Sequence, residues 1–296
     1  MITNNQKLII GNCLDVLRDM EGDSIDLCIT SPPYWNLRDY NSPPINWGDG
    51  YINQLGLEPS PDQYINHLML IFDEVKRVLK PSGACFVNIG DTYDNKSLCS
   101  IPSKFELNMI NRGWLLRNEI IWHKLNVKPT SAKDRFTIDH EKFYFFTKKS
   151  KYYFKQQREP LKESSIKRAK YGFNSEKFNI SAKGATTLKV DKMSSRFCSK
   201  EGRNKRTVWS TPVSNENYTH CAMFPKTLIE TPIKACCPPG GIVLDPFCGS
   251  GTLLDYCFEN NIKAIGIEIN PDYKETIEKR ARSNQSLLEI YTGALE

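Results

Sequence analysis

A short segment at 30–35 combines groups that could hold a flat ring bearing an amino group. It reads Thr-Ser-Pro-Pro-Tyr-Trp. Pro32 and Pro33 have no backbone N–H, so we expect their carbonyls to be free acceptors in a stiff loop, beside the hydroxyl of Ser31. Tyr34 adds an aromatic face on which a ring could stack. This set suits an exocyclic amino group on a planar base, although a proline-rich turn that only ends a strand is an alternative interpretation.

A second segment, at 245–252, has the composition of a nucleotide-binding loop. It reads Asp-Pro-Phe-Cys-Gly-Ser-Gly-Thr, and glycines let the backbone approach a ligand closely. No lysine follows the glycines, and Leu254 stands where a dinucleotide fingerprint has its third glycine. Glu268, near the end of the next apolar run, could accept hydrogen bonds from the ribose of an adenosine-containing cofactor. A glycine turn followed by a surface glutamate is the alternative.

Strands and helices alternate around both segments. Each segment directly follows a short apolar run, and a helical apolar face recurs at 64, 68, 71, 72 and 75. Such alternation predicts an α/β fold with a parallel sheet covered on both faces, in which ligands bind beyond the carboxyl ends of strands. The predicted strands are 24–30, 84–89, 114–122, 143–147, 242–245 and 263–269, and the predicted helices are 63–80, 252–260 and about 271–282.

Positive charge is concentrated in one part of the chain. The 296 residues carry 40 Lys and Arg against 34 Asp and Glu, a net charge of +6. Residues 155–206 alone carry a net charge of +10, so the other residues together carry a net charge of −4. Basic residues interspersed with aromatic ones suit attraction to a nucleic-acid backbone, although a solvated charged loop has the same composition. The candidate residues for such nucleic-acid contacts are Lys167, Arg168, Lys170, Arg203, Lys205 and Arg206.

The motifs occur in an order that resembles the β class of S-adenosylmethionine-dependent DNA amino-methyltransferases. In that class a Ser/Asp/Asn-Pro-Pro-Tyr motif lies near the N-terminus and Asp-Pro-Phe-x-Gly-x-Gly-Thr near the C-terminus. The segments at 11–17, 134–146 and 220–225 are similar as well, although the family more often has Gly-Asp where Gly11-Asn12 stands. The resemblance covers about residues 7–282, with the exception of the basic segment.

The resemblance implies a Rossmann-like methyltransferase fold with a mostly parallel, seven-stranded sheet and a basic, loop-rich insertion. It implies a catalytic half at 1–154, a target-recognition insertion at 155–206 and a cofactor-binding half at 207–296. S-adenosylmethionine would be held by Asp245, Phe247, Gly249, Ser250, Gly251 and Thr252, with Glu268 at the ribose and Phe224 and Pro225 lining the pocket. Ser31, Pro32, Pro33 and Tyr34 would hold the target base.

The implied reaction is direct methyl transfer to an exocyclic nitrogen of a base flipped out of duplex DNA, with no metal required. In the family, Ser-Pro-Pro-Tyr is typical of cytosine-N4 enzymes and Asp-Pro-Pro-Tyr of adenine-N6 enzymes, which favours cytosine N4. A companion restriction endonuclease that acts separately is a partner that the resemblance leaves open. The remaining alternatives are an adenine-N6 enzyme, an RNA or protein methyltransferase, a DNA-binding protein with a decayed site, and a nicotinamide-dependent reductase.

Composition bounds the class of protein further. No stretch approaches the roughly 20 apolar residues that span a bilayer. The first residues lack the basic and apolar regions of a secretory signal, so we expect a cytoplasmic protein. The ten cysteines contain no Cys-x-x-Cys pair, which disfavours a zinc site.

Overall fold

A computed structural model of the chain describes residues 5–161, 202–213 and 224–280, together with the backbone of 288–290. Residue contacts divide the chain into two units. The larger comprises Met1–Lys155 with Thr207–Glu296, and the smaller is Gln156–Arg206. In the smaller unit, the described residues include one pair of two-residue antiparallel strands.

The larger unit alternates strands and helices along most of its length. The elements before the basic segment are β1 (Gln6–Ile10), α1 (Cys13–Asp19), β2 (Ile25–Thr30), β3 (Ile45–Asn46), β4 (Ile52–Asn53), α2 (Pro61–Val78), β5 (Leu79–Ile89), β6 (Tyr93–Asp94), β7 (Ser97–Leu98), α3 (Ile101–Asn111), β8 (Leu115–Lys124) and β9 (His140–Thr147). The remaining elements are β10 (Arg158–Glu159) and β11 (Arg203–Asn204) of the smaller unit, then β12 (Val208–Thr211), α4 (Lys226–Cys236), β13 (Ile242–Asp245), α5 (Thr252–Glu259), β14 (Lys263–Glu268), a 3-10 turn (Pro271–Tyr273), α6 (Lys274–Arg280) and β15 (Leu288–Ile290).

The main sheet of the described chain runs in the order β12-β8-β9-β5-β2-β13-β14-β1-β15. All its neighbouring strands are parallel except β5 with β9 and β8 with β9. This confirms the predicted α/β fold with a mostly parallel sheet. The sheet has nine strands where seven were expected, because the short strands β12 and β15 extend its two edges.

Local sequence explains the central elements. β2 is buried at every position, as expected for a parallel strand covered on both faces. The helix α2 begins at Pro61, where the Ser60 hydroxyl caps it by accepting a hydrogen bond from the Gln63 amide at 3.2 Å. It ends at Val78, two residues earlier than predicted, because the chain continues directly into β5 from Leu79.

The strand order brings the two predicted loops to one place. β2 and β13 are adjacent parallel strands, so Thr30 and Asp245 end at the same edge of the sheet. Their side chains meet there, since the Thr30 hydroxyl donates to a carboxylate oxygen of Asp245 at 2.6 Å. Glu268 ends the next strand, β14. The carboxyl edge of the sheet therefore gathers the segments that the sequence singled out.

Within the ranges that the structure describes, none of the helices combines the length and apolar character needed to cross a membrane.

Candidate active site

A cavity of about 1160 Å³, counted with its open mouth, lies at this edge of the sheet. Its lining includes most of the residues predicted for the site: Ser31, Pro32, Pro33, Tyr34, Phe224, Asp245, Phe247, Gly249, Ser250, Thr252 and Glu268. Gly251 and Pro225 do not line it. Gly251 instead precedes α5 and Pro225 precedes α4, so each sets the start of a helix.

Glu268 is fixed by the backbone of two loops. Its Oε2 accepts a hydrogen bond from the Gly249 amide at 2.7 Å, and its Oε1 accepts one from the Asn270 amide at 2.9 Å. The side chain is 7 % exposed, and this burial raises the pKa of its carboxyl to about 7, partly offset by the two amides. The carboxylate is thus held rigidly at the cavity wall with lone pairs left for hydroxyl donors.

Asp245 is buried more deeply, at 1 % exposure. Burial raises the pKa of its carboxyl to about 7, although the Thr30 hydroxyl and the Phe247 amide both donate to it. Two carboxyls that ionise near neutral pH therefore line the same wall. A ligand that brings positive charge would favour their ionised forms.

The glycines of the loop have different roles. Gly249 and Gly251 both have positive φ, of 54° and 83°. A β-carbon on Gly251 would lie 2.8 Å from Cγ2 of Ile277 in α6, so the loop can pack against that helix only with glycine at this position. Gly249 has no such neighbour, and its amide is instead the donor to Glu268.

Arg280 is a residue of the loop region that the sequence did not reveal. It is buried, and its Nη1 donates to the Ser250 hydroxyl at 2.8 Å and to the Ser250 carbonyl at 3.3 Å. Its Nε lies 3.8 Å from Asp255 in α5. Arg280 therefore ties the glycine loop to two helices. Only its place at the end of the predicted last helix could have drawn attention to it.

On the opposite wall, Tyr34 is held by its hydroxyl. This group donates to Oε2 of Glu141 at 2.8 Å and accepts hydrogen bonds from the Ser31 hydroxyl at 3.3 Å and the Asn88 amide at 2.5 Å. The ring lies against Gly90, where a β-carbon would be 2.5 Å from Cε2. Burial, followed by the charge of Glu141, raises the pKa of Tyr34 well above its ordinary value. Tyr34 is thus a neutral, anchored side chain.

The expectation that both proline carbonyls are free acceptors is wrong for Pro33. The hydroxyl of Tyr64 in α2 donates to the Pro33 carbonyl at 2.7 Å. The sequence placed Tyr64 on the apolar face of that helix, but its phenol needs a partner when buried, and the loop supplies one. Pro32 lines the cavity, and the hydrogen bonds of the described residues include none to its carbonyl. That this carbonyl accepts a hydrogen bond from a ligand stays a prediction.

The third wall of the cavity comes from the segment that follows Tyr34. The segment is held against α2 by His67 of that helix, which is 2 % exposed. The two ring nitrogens of His67 lie 2.9 Å and 3.1 Å from carboxylate oxygens of Glu58 and Asp49. Trp47 stacks on the imidazole at 4.2 Å. No motif predicted this cluster, because its members are brought together only by the fold. The residues of the segment that line the cavity are Leu37, Arg38, Tyr40, Ser42, Ile45, Gln54 and Leu55.

The candidate DNA-binding residues are only partly described. Lys167, Arg168 and Lys170 lie outside the described residues. Arg203 and Arg206 both donate from Nε to Oε1 of Glu159, at 2.7 Å each, within the smaller unit. Lys205 is exposed, and its amide donates to the Gln157 carbonyl at 3.0 Å.

Comparisons with known proteins identify the family of the chain. A family model described as DNA methylase, for N6 and N4 methyltransferases, matches residues 25–279. The type II methyltransferase M.Cfr9I of Citrobacter freundii is 33% identical over 312 residues, covering 96% of this chain and 90% of the relative.

Two solved structures share the fold. The chain is similar to the PvuII DNA methyltransferase, described as cytosine-N4-specific, with a TM-score of 0.66 and 19% identity over 95% of this chain and 88% of that one. It is also similar to a Thermus thermophilus DNA modification methylase crystallised with S-adenosyl-L-methionine, with a TM-score of 0.58 and 23% identity over 97% and 99% of the two chains. These two likenesses concern the fold. The family model and the C. freundii relative show that the chain belongs to the N6/N4 family of DNA methyltransferases.

Proposed function

We propose that the protein transfers a methyl group from S-adenosylmethionine to the exocyclic N4 of a cytosine flipped out of duplex DNA. The observation that carries this proposal is the single cavity that the Ser31–Tyr34 loop and the Asp245–Thr252 loop line together. One loop has the groups to hold an amino-bearing base, and the other has those to hold a nucleoside cofactor. A shared cavity brings the two reactants within reach, as direct transfer requires.

On the cofactor wall, the chain offers donors and carboxylates that suit S-adenosylmethionine. The T. thermophilus structure that shares this fold contains that cofactor. In our proposal, Glu268 accepts hydrogen bonds from the ribose hydroxyls, because its orientation is already set by two amides. Asp245 faces the positively charged methionine end, whose charge favours the ionised carboxylate. Phe224 and Phe247 supply the apolar lining.

Bound S-adenosylmethionine supplies an electrophilic methyl group, so that a nitrogen–carbon bond forms as the sulfur–carbon bond breaks and the amine afterwards loses a proton to solvent. The protein must position the amine and make its lone pair available. The Ser31 hydroxyl and the Pro32 carbonyl are the acceptors for the two amine hydrogens. These two acceptors increase the rate of methyl transfer by orienting the amine and by supplying preorganised electrostatic stabilisation.

The choice of cytosine over adenine rests on two observations. Ser stands at position 31 in the Pro-Pro-Tyr motif, and the PvuII enzyme that shares the fold is described as cytosine-N4-specific. Adenine N6 is the second candidate, because the matching family model covers both activities. We further propose that residues 155–206, with a local charge of +10, contact the DNA backbone and help to select the target sequence.

The test is incubation with labelled S-adenosylmethionine and duplex DNA, followed by mass spectrometry of the digested nucleosides. We expect label in N4-methylcytosine. Label only in N6-methyladenine would reject the cytosine assignment while retaining the class of enzyme. Label in an RNA or protein acceptor offered in parallel, with none in DNA, would reject the proposal. Equilibrium binding of S-adenosylmethionine and not of NAD is expected under the same conditions.

A further inference from the structure

The hydroxyl of Tyr34 has all its hydrogen-bonding capacity in use. Its hydrogen goes to Oε2 of Glu141, and its oxygen accepts from Ser31 and from Asn88. A phenol has one hydrogen and two lone pairs, so no further bond is available to it. The donors and acceptors are therefore fixed: Ser31 donates to Tyr34, and Tyr34 donates to Glu141.

From this arrangement we infer that Glu141 is a positioning residue that turns the Ser31 hydroxyl into an acceptor for the target amine. Because the hydrogen of Ser31 is directed to Tyr34, the lone pairs of Ser31 are the part left to face the cavity. An acceptor is what an amino group needs if its own lone pair is to point elsewhere. The inference rests on the proposed function, since it assigns a task to the same site.

Glu141 is itself held in a way that preserves this direction. Its Oε1 accepts a hydrogen bond from the Lys124 ammonium, and Oε2 also accepts one from the Asn88 amide at 2.6 Å. The carboxylate is largely buried, at 13 % side-chain exposure. A carboxylate can only accept hydrogen bonds, so it forces Tyr34 to donate. A neutral serine can thereby present the acceptor that a charged side chain would otherwise supply at position 31.

Glu141→Gln tests the inference because glutamine keeps the shape but has one acceptor and one donor end. In the variant, Lys124 donates to the amide oxygen of Gln, so the amide hydrogens point toward Tyr34. Tyr34 then accepts from this amide and donates its own hydrogen to Ser31. We expect kcat to fall about 10- to 100-fold, as when a residue that orients a metal ligand is lost, with unchanged affinity for S-adenosylmethionine.

A double-mutant cycle with Tyr34→Phe separates positioning from a merely structural role. The phenylalanine keeps the ring but removes the hydroxyl through which Glu141 acts. We expect Glu141→Gln to have no further effect on kcat in the Tyr34→Phe background. Multiplicative losses in the double variant, or a Glu141→Gln variant with wild-type kcat, would overturn the inference. A loss of cofactor affinity as large as the loss of kcat would also overturn it.

The matched control is Glu119→Gln, which removes a carboxylate paired with Lys142 at 3.1 Å on the same two strands. Its kcat should equal that of the wild type. The product of the wild-type enzyme is identified first, which separates this inference from the proposed function. If the product is N6-methyladenine, the cytosine assignment fails and the cycle still tests Glu141. If no DNA base is methylated, both fail.

Discussion

Two of the three walls of the cavity are held in place by different kinds of contact. We call the wall of residues 245–252 and Glu268 the cofactor wall, and that of residues 31–34 the base wall, after their proposed ligands. On the cofactor wall, backbone amides of Gly249, Asn270 and Phe247 fix the carboxylates of Glu268 and Asp245. On the base wall, Tyr34 is held by hydrogen bonds with two side chains, those of Asn88 in β5 and Glu141 in β9. One wall is thus built mainly by loop geometry, and the other by a network that spans the sheet.

This difference has a functional consequence. A backbone-built wall presents a fixed set of donors and acceptors, which suits a cofactor that is the same in every turnover. A wall built from side chains can set the direction of each hydrogen bond, which suits the activation of an amine. We therefore expect substitutions on the cofactor wall to change affinity for S-adenosylmethionine, and substitutions on the base wall to change turnover.

The largest effect is expected for Ser31→Ala, which removes the acceptor closest to the proposed chemistry. We predict a loss of kcat of about 100- to 1000-fold, as when one preorganised polar group of an active site is removed. The dissociation constant for S-adenosylmethionine should stay within about two-fold of the wild type. Single-turnover methylation and calorimetric binding measure the two quantities. The control is Ser24→Ala, directly before β2, which should leave both quantities unchanged. If Ser31→Ala reduced kcat and cofactor affinity by equal factors, Ser31 would have a structural role.

The next largest effect is expected for Gly251→Ala on the cofactor wall. The added methyl group would lie 2.8 Å from Ile277, and overpacking of this kind costs about 1–3 kcal/mol. We predict that affinity for S-adenosylmethionine falls about 10- to 100-fold. Gly240→Ala is a matched control, because Gly240 also has positive φ but has no atom within 4 Å of the added carbon. Similar losses in both variants would assign the effect to backbone strain and contradict the packing argument.

A pH-dependent effect is expected for Asp245→Asn. Burial raises the pKa of this carboxyl to about 7, so it is largely protonated at pH 6 and largely ionised at pH 8. Only the ionised form attracts the positive charge of the cofactor. The variant should therefore bind S-adenosylmethionine about 10-fold more weakly than the wild type at pH 8, and nearly equally at pH 6. Titration calorimetry at both values measures this, and an equal deficit at both would contradict the assigned pKa.

The same raised pKa has a consequence for stability in the absence of cofactor. The folded protein retains the Asp245 proton to higher pH than the unfolded chain, in which an aspartate ionises near pH 4. The contribution of this group to the free energy of unfolding is thus fully present below pH 4 and is lost as the pH rises toward 7. In chemical denaturation, Asp245→Asn should show a smaller fall in the free energy of unfolding over this pH range than the wild type. Some fall should remain, because the pKa of Glu268 is also raised to about 7.

The smallest effect is expected for Tyr64→Phe, behind the base wall. The substitution leaves the Pro33 carbonyl without its donor, which costs about 1 kcal/mol of stability. We predict a loss of kcat of only about two- to three-fold, since Pro33 is held and does not itself face the amine. Thermal unfolding and steady-state kinetics test this. A loss as large as that of Ser31→Ala would mean that the Pro33 carbonyl takes part in the reaction.

The cofactor wall was the part of the site most accessible to sequence reasoning. A strand, a glycine loop and a helix lie next to one another in the chain, so their spacing predicts their geometry. The positions of Asp245 and Glu268 in the cavity follow from the ends of adjacent parallel strands. Arg280 was missed because a single arginine in a charged helix carries no pattern, although its side chain is buried.

The supports of the base wall could not be predicted in the same way. Glu141 and Asn88 are more than 50 positions from Tyr34. The three residues come together only because β5 pairs with β2 on one side and with β9 on the other. The bond from Tyr64 to Pro33 was missed because an aromatic residue on an apolar helix face gives no sign of where its hydroxyl points. The short edge strands β12 and β15 lack the long apolar runs from which the other strands were predicted.

The most direct test of the account is the modified-base content of DNA from a bacterial host that expresses the protein. We predict that the wild-type chain adds N4-methylcytosine to that DNA, that Ser31→Ala adds almost none, and that N6-methyladenine stays at the level of a host without the protein. Nucleoside mass spectrometry measures both bases in one digest. N4-methylcytosine that is absent with the wild type, or undiminished with Ser31→Ala, would contradict the central claim that this loop directs methyl transfer to cytosine.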